Sequence, residues 1–301
     1  MDVLLMAAAL PVIALCYYIY SKDQHREPVK LLYKLLGFGA LITIPVIATE
    51  LVLNEFCDTD KVLSFLSIFI KVFIGVALAE EGFKWLIVKV KAYNNQEFDE
   101  IYDIIVYSVF VSLGFALVEN ILYVFKYGFG TAIVRALLAV PGHACFGVLM
   151  GFYLSKAKVA SLNNNKAMTV RNTAFSLLVP MLFHTIYDSL LIWAENIKLA
   201  IQESIIKGLT IPTLPKASTI TWSFLLFDII MVVLCFIIVN KTSKVQQNLS
   251  ENLEAGSIVN NDGKIKLVET QAAPTSINFC PLCGTNVTNS NYCPKCGLRI
   301  R

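Results

Sequence analysis

Charge is scarce in this chain. Only 16% of its 301 residues are Asp, Glu, Lys or Arg, against about 25% in ordinary soluble domains, and that shortage argues against a pair of solvated globular domains. Histidine is rarer still, with three in the whole sequence, so a histidine in apolar surroundings calls for an explanation. No basic cluster precedes the first apolar run, which opens Met1-Asp2, and no small-residue cleavage pattern follows Tyr17-Tyr18-Ile19-Tyr20. That run therefore reads as a retained span and not as a cleaved leader. The net charge of +3 averages over loops on two sides of a membrane and carries little information, and no nucleic-acid partner is expected.

What the chain does have is long apolar blocks. Hydrophobic residues make up 56% of it and the mean hydropathy is +0.64. Blocks of the length a bilayer requires, about 20 residues, lie near 3–20, 31–53, 69–89, 103–125, 131–154, 172–194 and 219–240. The expectation is an all-α membrane protein, a polytopic bundle of about seven transmembrane helices. Lys and Arg set its orientation. Lys22, Arg26, Lys30 and Lys34, then Lys89 and Lys91, then Lys156, Lys158, Lys166 and Arg171 fall on one side. The other side holds Lys61, Lys126, Arg135, Lys198, Lys207 and Lys216. The N-terminus is accordingly expected outside the cell membrane and the C-terminus in the cytoplasm.

Composition divides the chain into a membrane domain over 1–240, a polar linker over 241–276 and a small unit over 277–301. Within the linker, two apolar pairs flank Asn260-Asn261-Asp262-Gly263, a hairpin-like pattern that predicts a short strand pair. Segment 196–208 repeats Ile197, Ile201 and Ile205 at helical spacing, which suits either a helix lying in the interface or a plain connecting helix. The last residues read C-P-L-C-G and C-P-K-C-G. Cys280, Cys283, Cys293 and Cys296 form two C-x-x-C knuckles, the donor set of a closed, structural, tetrahedral zinc site, and a cytoplasmic location disfavours disulfides as the alternative. Cys16, Cys145 and Cys235 fall inside spans and read as small buried apolar residues.

The third block poses the main question. It carries Ala79-Glu80-Glu81-Gly82-Phe83-Lys84 midway between Lys71 and Lys89, which are about 27 Å apart along a helix. Glu80 would then stand near the bilayer centre, where a charge costs about 2.5–3.5 kcal/mol or more. Lys84 is three and four residues from the two acids and shares their helical sector. A self-neutralising ion pair leaves one acid over. Other spans carry similar groups: Glu119-Asn120, Pro141-Gly142-His143 and His184-x-x-x-Asp188. With interfacial positions taken at Asp103, Lys126, Arg135, Lys156, Arg171 and Glu195, His143 and His184 fall level with Glu80. Glu119 and Asp188 lie about a turn further toward the outside. Singly, each reads as a polar contact between helices. Together they suit water activation, with a carboxylate taking the proton and imidazoles binding a metal or stabilising an oxyanion.

Glu80-Glu81-x-x-Lys84, Phe115-x-x-x-Glu119-Asn120, His143 and His184-x-x-x-Asp188, in that order on successive spans, resemble the PrsW family of intramembrane proteases. That family belongs with the type II CAAX-prenyl endopeptidase and bacteriocin-processing superfamily. The resemblance covers roughly residues 30–195. It implies a helical membrane metalloprotease in which Glu80 is the general base, with Glu81, Glu119, His143 and His184 as core residues and Lys84, Asn120 and Asp188 in support. It also implies a catalytic divalent metal on His143, His184 and Glu119. Its substrate would be a membrane protein or peptide in the lipid bilayer, by resemblance an anti-sigma factor cut on its extracytoplasmic side. Asp188 stands where the wider superfamily often has Asn, and the terminal cysteine unit is an addition to the family pattern. The competing readings are a proton- or ion-coupled transporter, against which stands the absence of an inverted repeat, and a non-catalytic scaffold that recruits partners through the zinc unit.

The terminal unit generates its own expectation. In intact cells an impermeant thiol reagent should leave Cys280, Cys283, Cys293 and Cys296 unlabelled even after metal removal. Cutting the chain within 245–275 should release its zinc while proteolysis of a non-specific membrane substrate continues. Strong labelling from outside would reverse the orientation.

Overall fold

The computed structural model describes residues 2–95, 97–98, 100–209, 214–254, 258–259 and 265–266. The cysteine unit at 277–301 lies outside the described residues. The order is α1 (Asp2–Ser21), α2 (Val29–Leu41), α3 (Thr43–Cys57), α4 (Phe65–Val72), a π-helical turn (Phe73–Ala77), α5 (Leu78–Ile87), a second π-helical turn (Val88–Ala92) and α6 (Asp103–Tyr127). Then follow α7 (Phe129–Leu137), α8 (Ala139–Leu162), α9 (Lys166–Ile206), α10 (Ala217–Glu254) and the short strands β1 (Ile258–Val259) and β2 (Ile265–Lys266). The strands pair antiparallel, Ile258 opposite Lys266 and Val259 opposite Ile265, the pairing expected there.

Six helices are long and apolar enough to cross a membrane: Val3–Ser21, Val29–Leu53, Asp103–Tyr127, Phe129–Leu162, Lys166–Ile206 and Ala217–Gln247. The expected span 69–89 is not among them. Its helix is interrupted by two π-helical turns and carries Lys71, Glu80, Glu81, Lys84 and Lys89, too many charges for a plain apolar span. It nevertheless runs through the bundle from end to end. Next to its start, Trp193 donates to Leu63 O and Asn196 to Thr59 O and Val62 O; just past its finish, Lys158 donates to Tyr93 O at 3.2 Å.

Prolines and glycines explain the other breaks. Pro45 sits in the first turn of α3 and Pro141 in that of α8. Each lacks an N–H and crowds the carbonyl four residues earlier, which is where α2 and α7 end. Gly128, at φ +87°, closes α6. Segment 196–208 does not form a helix of its own; α9 runs straight on to Ile206, with Ile197 buried and Ile205 exposed. Likewise α10 continues into the polar stretch after Asn240 as far as Glu254.

The core is α6, buried at every position from Asp103 to Ala116 and packed against α1, α2 and α8. Outward faces of α9 and α10 are apolar, with Leu178, Leu182, Leu226, Ile230 and Val233 exposed, as lipid contact requires. Cys16, Cys145 and Cys235 are buried free thiols. Lipid offers no hydrophobic drive for helix association, so small residues bring backbones together instead. A Cβ on Gly114 would stand 2.0 Å from Leu36 O, and one on Gly39 would stand 2.0 Å from Val111 O. A methyl there must displace backbone. Gly114→Ala should therefore destabilise the protein by about 1–3 kcal/mol, read as a lower thermal midpoint in detergent. Gly37→Ala, with nothing within 4 Å of the added carbon, should leave the midpoint unchanged or slightly raised. Equal midpoints for Gly114→Ala and wild type would refute the close α2–α6 contact.

Candidate active site

The two π-helical turns bracket the acidic motif. Each adds a residue to one turn and re-phases the helix beyond it, a feature often found at functional positions. The segment between them turns Glu80, Glu81 and Lys84 into the bundle, where they are 6%, 0% and 0% exposed. Gly75, in the first π-helical turn, lets α3 approach; a Cβ there would meet Cys57 Cβ at 2.7 Å. On the other face Trp85 Nε1 donates to Ser176 Oγ on α9 at 2.9 Å.

Lys84 is the hub. Its Nζ donates to Glu80 Oε2 at 3.0 Å and to Glu81 Oε1 at 2.8 Å, and lies 3.2 Å from His143 Nδ1. An ammonium only donates, so His143 Nδ1 accepts and its Nε2–H donates to Glu119 Oε2 at 2.8 Å. Ser112 Oγ donates to the His143 carbonyl at 2.6 Å, holding α8 against α6. The ammonium also lies 4.2 Å from the Phe115 ring centroid, a cation–π contact of the strengthened, desolvated kind. On α9, His184 Nδ1 faces Glu81 Oε1 at 3.1 Å and its Nε2 lies 3.2 Å from Asp188 Oδ2. Phe146 stacks on the His184 ring with centroids 4.7 Å apart, while the two histidine rings stand edge-on at 5.8 Å.

All the expected membrane residues except Asn120 thus join one network from α5, α6, α8 and α9. Asn120 turns away: it donates to Ala8 O at 2.8 Å and accepts from Arg135 Nε at 3.0 Å. That contact aims Arg135 at Glu119, where the guanidinium pairs at 2.9 Å. Arg135 is therefore part of the centre and not the interfacial marker its place near a span end suggests. Asp103, treated in the same way, is buried. Glu50 on α3 lies near the network, within electrostatic reach of Glu80, Glu119, His184 and Lys84. A lone acid near the end of an apolar run carries no motif, so the only available signal for Glu50 was its position beside the Glu80 span. The arrangement also has a direction. Side-chain exposure rises from 0% at Glu81 and Lys84 to 20% at Glu119 and 26% at Asp188, so the Glu119–Asp188 side is the most exposed part of the centre.

Glu80, Glu81 and His184 each present a ligand atom, all within 4.8 Å of one another. The second oxygen of Glu81, Oε2, is buried with no hydrogen-bond partner among the described residues. Two carboxylates and an imidazole suit a zinc-like divalent ion, and Asp188 behind His184 is placed to fix that ring. The set differs from the expected His143, His184 and Glu119, because both His143 nitrogens are occupied by Lys84 and Glu119. A second group, Asp23, Glu27 and Asp103, gathers where α1 ends and α6 begins, and burial there raises the Asp23 carboxyl to about 6.

The buried charge balance is testable through Lys84. Lys84→Met leaves the oxygens of Glu80 and Glu81 without their cation. Breaking such a pair costs about 3–5 kcal/mol, so the thermal midpoint in detergent should fall sharply. A Lys84→Met, Glu81→Gln double variant should recover part of the loss. Wild-type stability in the single variant would show that the ammonium is not what neutralises the acids.

The model of the PrsW family of intramembrane metalloproteases matches residues 27–214. Among characterised proteins, the protease PrsW of Oceanobacillus iheyensis is 39% identical over 188 residues, 62% of this chain and 82% of that protein. The protease PrsW of Bacillus subtilis is 40% identical over 197 residues, 65% of this chain and 86% of its own length. That of Clostridioides difficile is 34% identical over 193 residues, covering 62% and 79%. No solved structure matches.

Proposed function

Because this chain belongs to the PrsW family of intramembrane metalloproteases, we propose that its buried centre hydrolyses a peptide bond of a membrane protein with water activated at Glu80. One observation carries this reading: carboxylates and imidazoles from four helices form a continuous network inside a bundle whose exterior is apolar, and that network is more exposed on one side. Structural ion pairs need no exposed side and no surplus of acids. A protease needs both, because water and an unwound substrate backbone must reach the reacting groups in a polar cavity.

Glu80 accepts the proton of a water molecule as the water oxygen adds to the scissile carbonyl carbon. Only one of its oxygens is recorded on Lys84, which leaves the other to face the water. Lys84 and the Nε2–H side of His143 place positive potential beside the site where the carbonyl oxygen gains charge. Glu80 then returns the proton to the leaving amine nitrogen as the C–N bond breaks, so the proton balance closes on one group. Glu81 and His184, with Glu80 in reach of both, would hold a divalent ion, which when bound supplies Lewis-acid assistance to water and carbonyl. Asp188 accepts from His184 Nε2 and keeps its other nitrogen turned inward. Arg135 and Asn120 hold Glu119 on His143.

The substrate fitting this centre is a membrane-protein segment cut toward the Glu119–Asp188 side. In the orientation supported by the Lys and Arg distribution, with the N-terminus outside, that is the extracytoplasmic half of the bilayer. The motif resemblance implies an anti-sigma-type membrane regulator as the substrate class, and the terminal cysteine unit, read as a structural zinc site in the cytoplasm, would act apart from the reaction.

Glu80→Gln decides the mechanism. It keeps shape and one acceptor but removes the base, so cleavage of a reconstituted membrane substrate should drop about 10²–10⁴-fold with the thermal midpoint little changed. His184→Ala should be comparably inactive, and a chelator should act on the wild type in the same assay. Wild-type turnover by Glu80→Gln would eliminate the proposal.

A further inference from the structure

Well away from the reaction centre, at the end of the bundle where α8 finishes and α9 starts, helices α8, α9 and α10 part around a cavity of about 760 Å³. Its wall has two characters. Phe152, Phe175, Ile237 and Ile238 line it along the helices, and Phe175 and Ile237 are 40% and 52% exposed on the outer face of the bundle. Lys156, Arg171 and Lys241, one from each helix, line it too, and Lys156 lies within electrostatic range of both other cations.

These three charges have no carboxylate among the described residues. The ion pairs there are made by Lys84, Arg135, Lys198, Lys207 and histidines. Lys156 instead rests over the Phe152 ring at 4.0 Å, and the recorded side-chain bond of Arg171 goes to Met168 Sδ at 3.4 Å. Both contacts set the charged ends against apolar or soft partners and leave N–H groups to spare. Three like charges brought together repel one another unless an anion joins them.

We propose that this cavity binds an anionic phospholipid, its phosphate between Lys156, Arg171 and Lys241 and its acyl chains along Phe175 and Ile237. Depth, charge and shape support that occupant over others. Arg171 stands five residues into α9, about 7–8 Å from its start, which is headgroup level for a helix that begins at the membrane surface. Basic pockets between spans at that level match phosphate headgroups by charge. The volume far exceeds one phosphate, and the apolar wall is continuous with lipid-facing surface, which a soluble anion would not use. Because α8 and α9 also carry His143 and His184, a lipid seated here ties together the helices that position the centre. The assignment does not rest on the proteolytic reading, since none of the three cations belongs to the network around Lys84.

The test uses the full chain in detergent micelles, titrated with brominated phosphatidylglycerol, brominated phosphatidylcholine or inorganic phosphate, with quenching of native tryptophan and the thermal midpoint as readouts. Phosphatidylglycerol should bind on the order of a hundredfold more tightly than phosphatidylcholine and raise the midpoint. Lys156→Gln, Arg171→Gln and Lys241→Gln together should reduce that preference on the order of a hundredfold, about fivefold per cation. Arg171→Lys should keep most of it, and Glu80→Gln should bind lipid as the wild type does. If the triple variant fails to fold, Lys241→Gln alone should still show the fivefold loss. Equal binding of the two lipids, or undiminished preference in a folded cation variant, overturns the proposal. So does displacement of the lipid by inorganic phosphate at comparable concentration, which would assign the site to a soluble anion.

Discussion

An ammonium group removed from water must find its counter-charges inside the protein, and Lys84 does so with no exposed surface at all. Its bonds to Glu80 and Glu81 neutralise one charge of two. The remaining negative charge faces His184 through Glu81, while Glu119, linked to Lys84 through His143, is paired with Arg135. Removing Lys84 or Arg135 leaves buried carboxylates without their cation, the situation in which burial is most costly. The network therefore constrains the helices as strongly as apolar packing does. Four of them must hold their relative depth to within hydrogen-bond tolerance.

That demand explains the local irregularities around it. A regular helix from Phe65 to Ala92 would point successive polar groups around its circumference, and some would face lipid. The π-helical turns at Phe73–Ala77 and Val88–Ala92 change the phase on both sides of the motif, so its charges can face inward. Close backbone contact does the rest. Gly39 and Gly114 seat α2 on α6, while Gly147 and Gly151 seat α8 on a second face of α6. With α6 fixed between two neighbours, Phe115 and Glu119 hold constant height against Lys84 and His143.

The polar motifs were legible in the sequence because a charge in an apolar run is conspicuous and depth can be counted in residues. Glu80, Glu81, Lys84, His143 and His184 needed nothing more. What escaped were features that depend on how helices meet. Arg135 lies near the end of an apolar block and reads as an interfacial residue; only the α7–α8 break at Leu138 and the bond to Asn120 show it turning inward. Asn120 reads as a supporting residue, but nothing in the sequence says that what it supports is Arg135 and α1. Glu50 sits in no motif. Length and apolarity alone do not pick out the span over 69–89, since the segment that matters most to the chemistry carries charges and π-helical turns that set it apart from a plain apolar helix.

Hydrogen-bond valence sets the two histidines apart. An imidazole has two nitrogens, and His143 commits one to the Lys84 ammonium and the other to Glu119, so it has no free lone pair for an ion. His184 commits Nε2 to Asp188 and turns Nδ1 toward Glu81, beside a carboxylate oxygen that lacks a partner among the described residues. The two histidines, equivalent in a sequence reading, are therefore divided by their neighbours into different tasks. His143 transmits the charge of Lys84 to Glu119 on the more exposed side of the centre, and His184 offers a donor atom on the buried side. The acid on the residue four positions after His184 is what makes the difference, and an Asn at position 188 would accept more weakly and orient the ring less firmly.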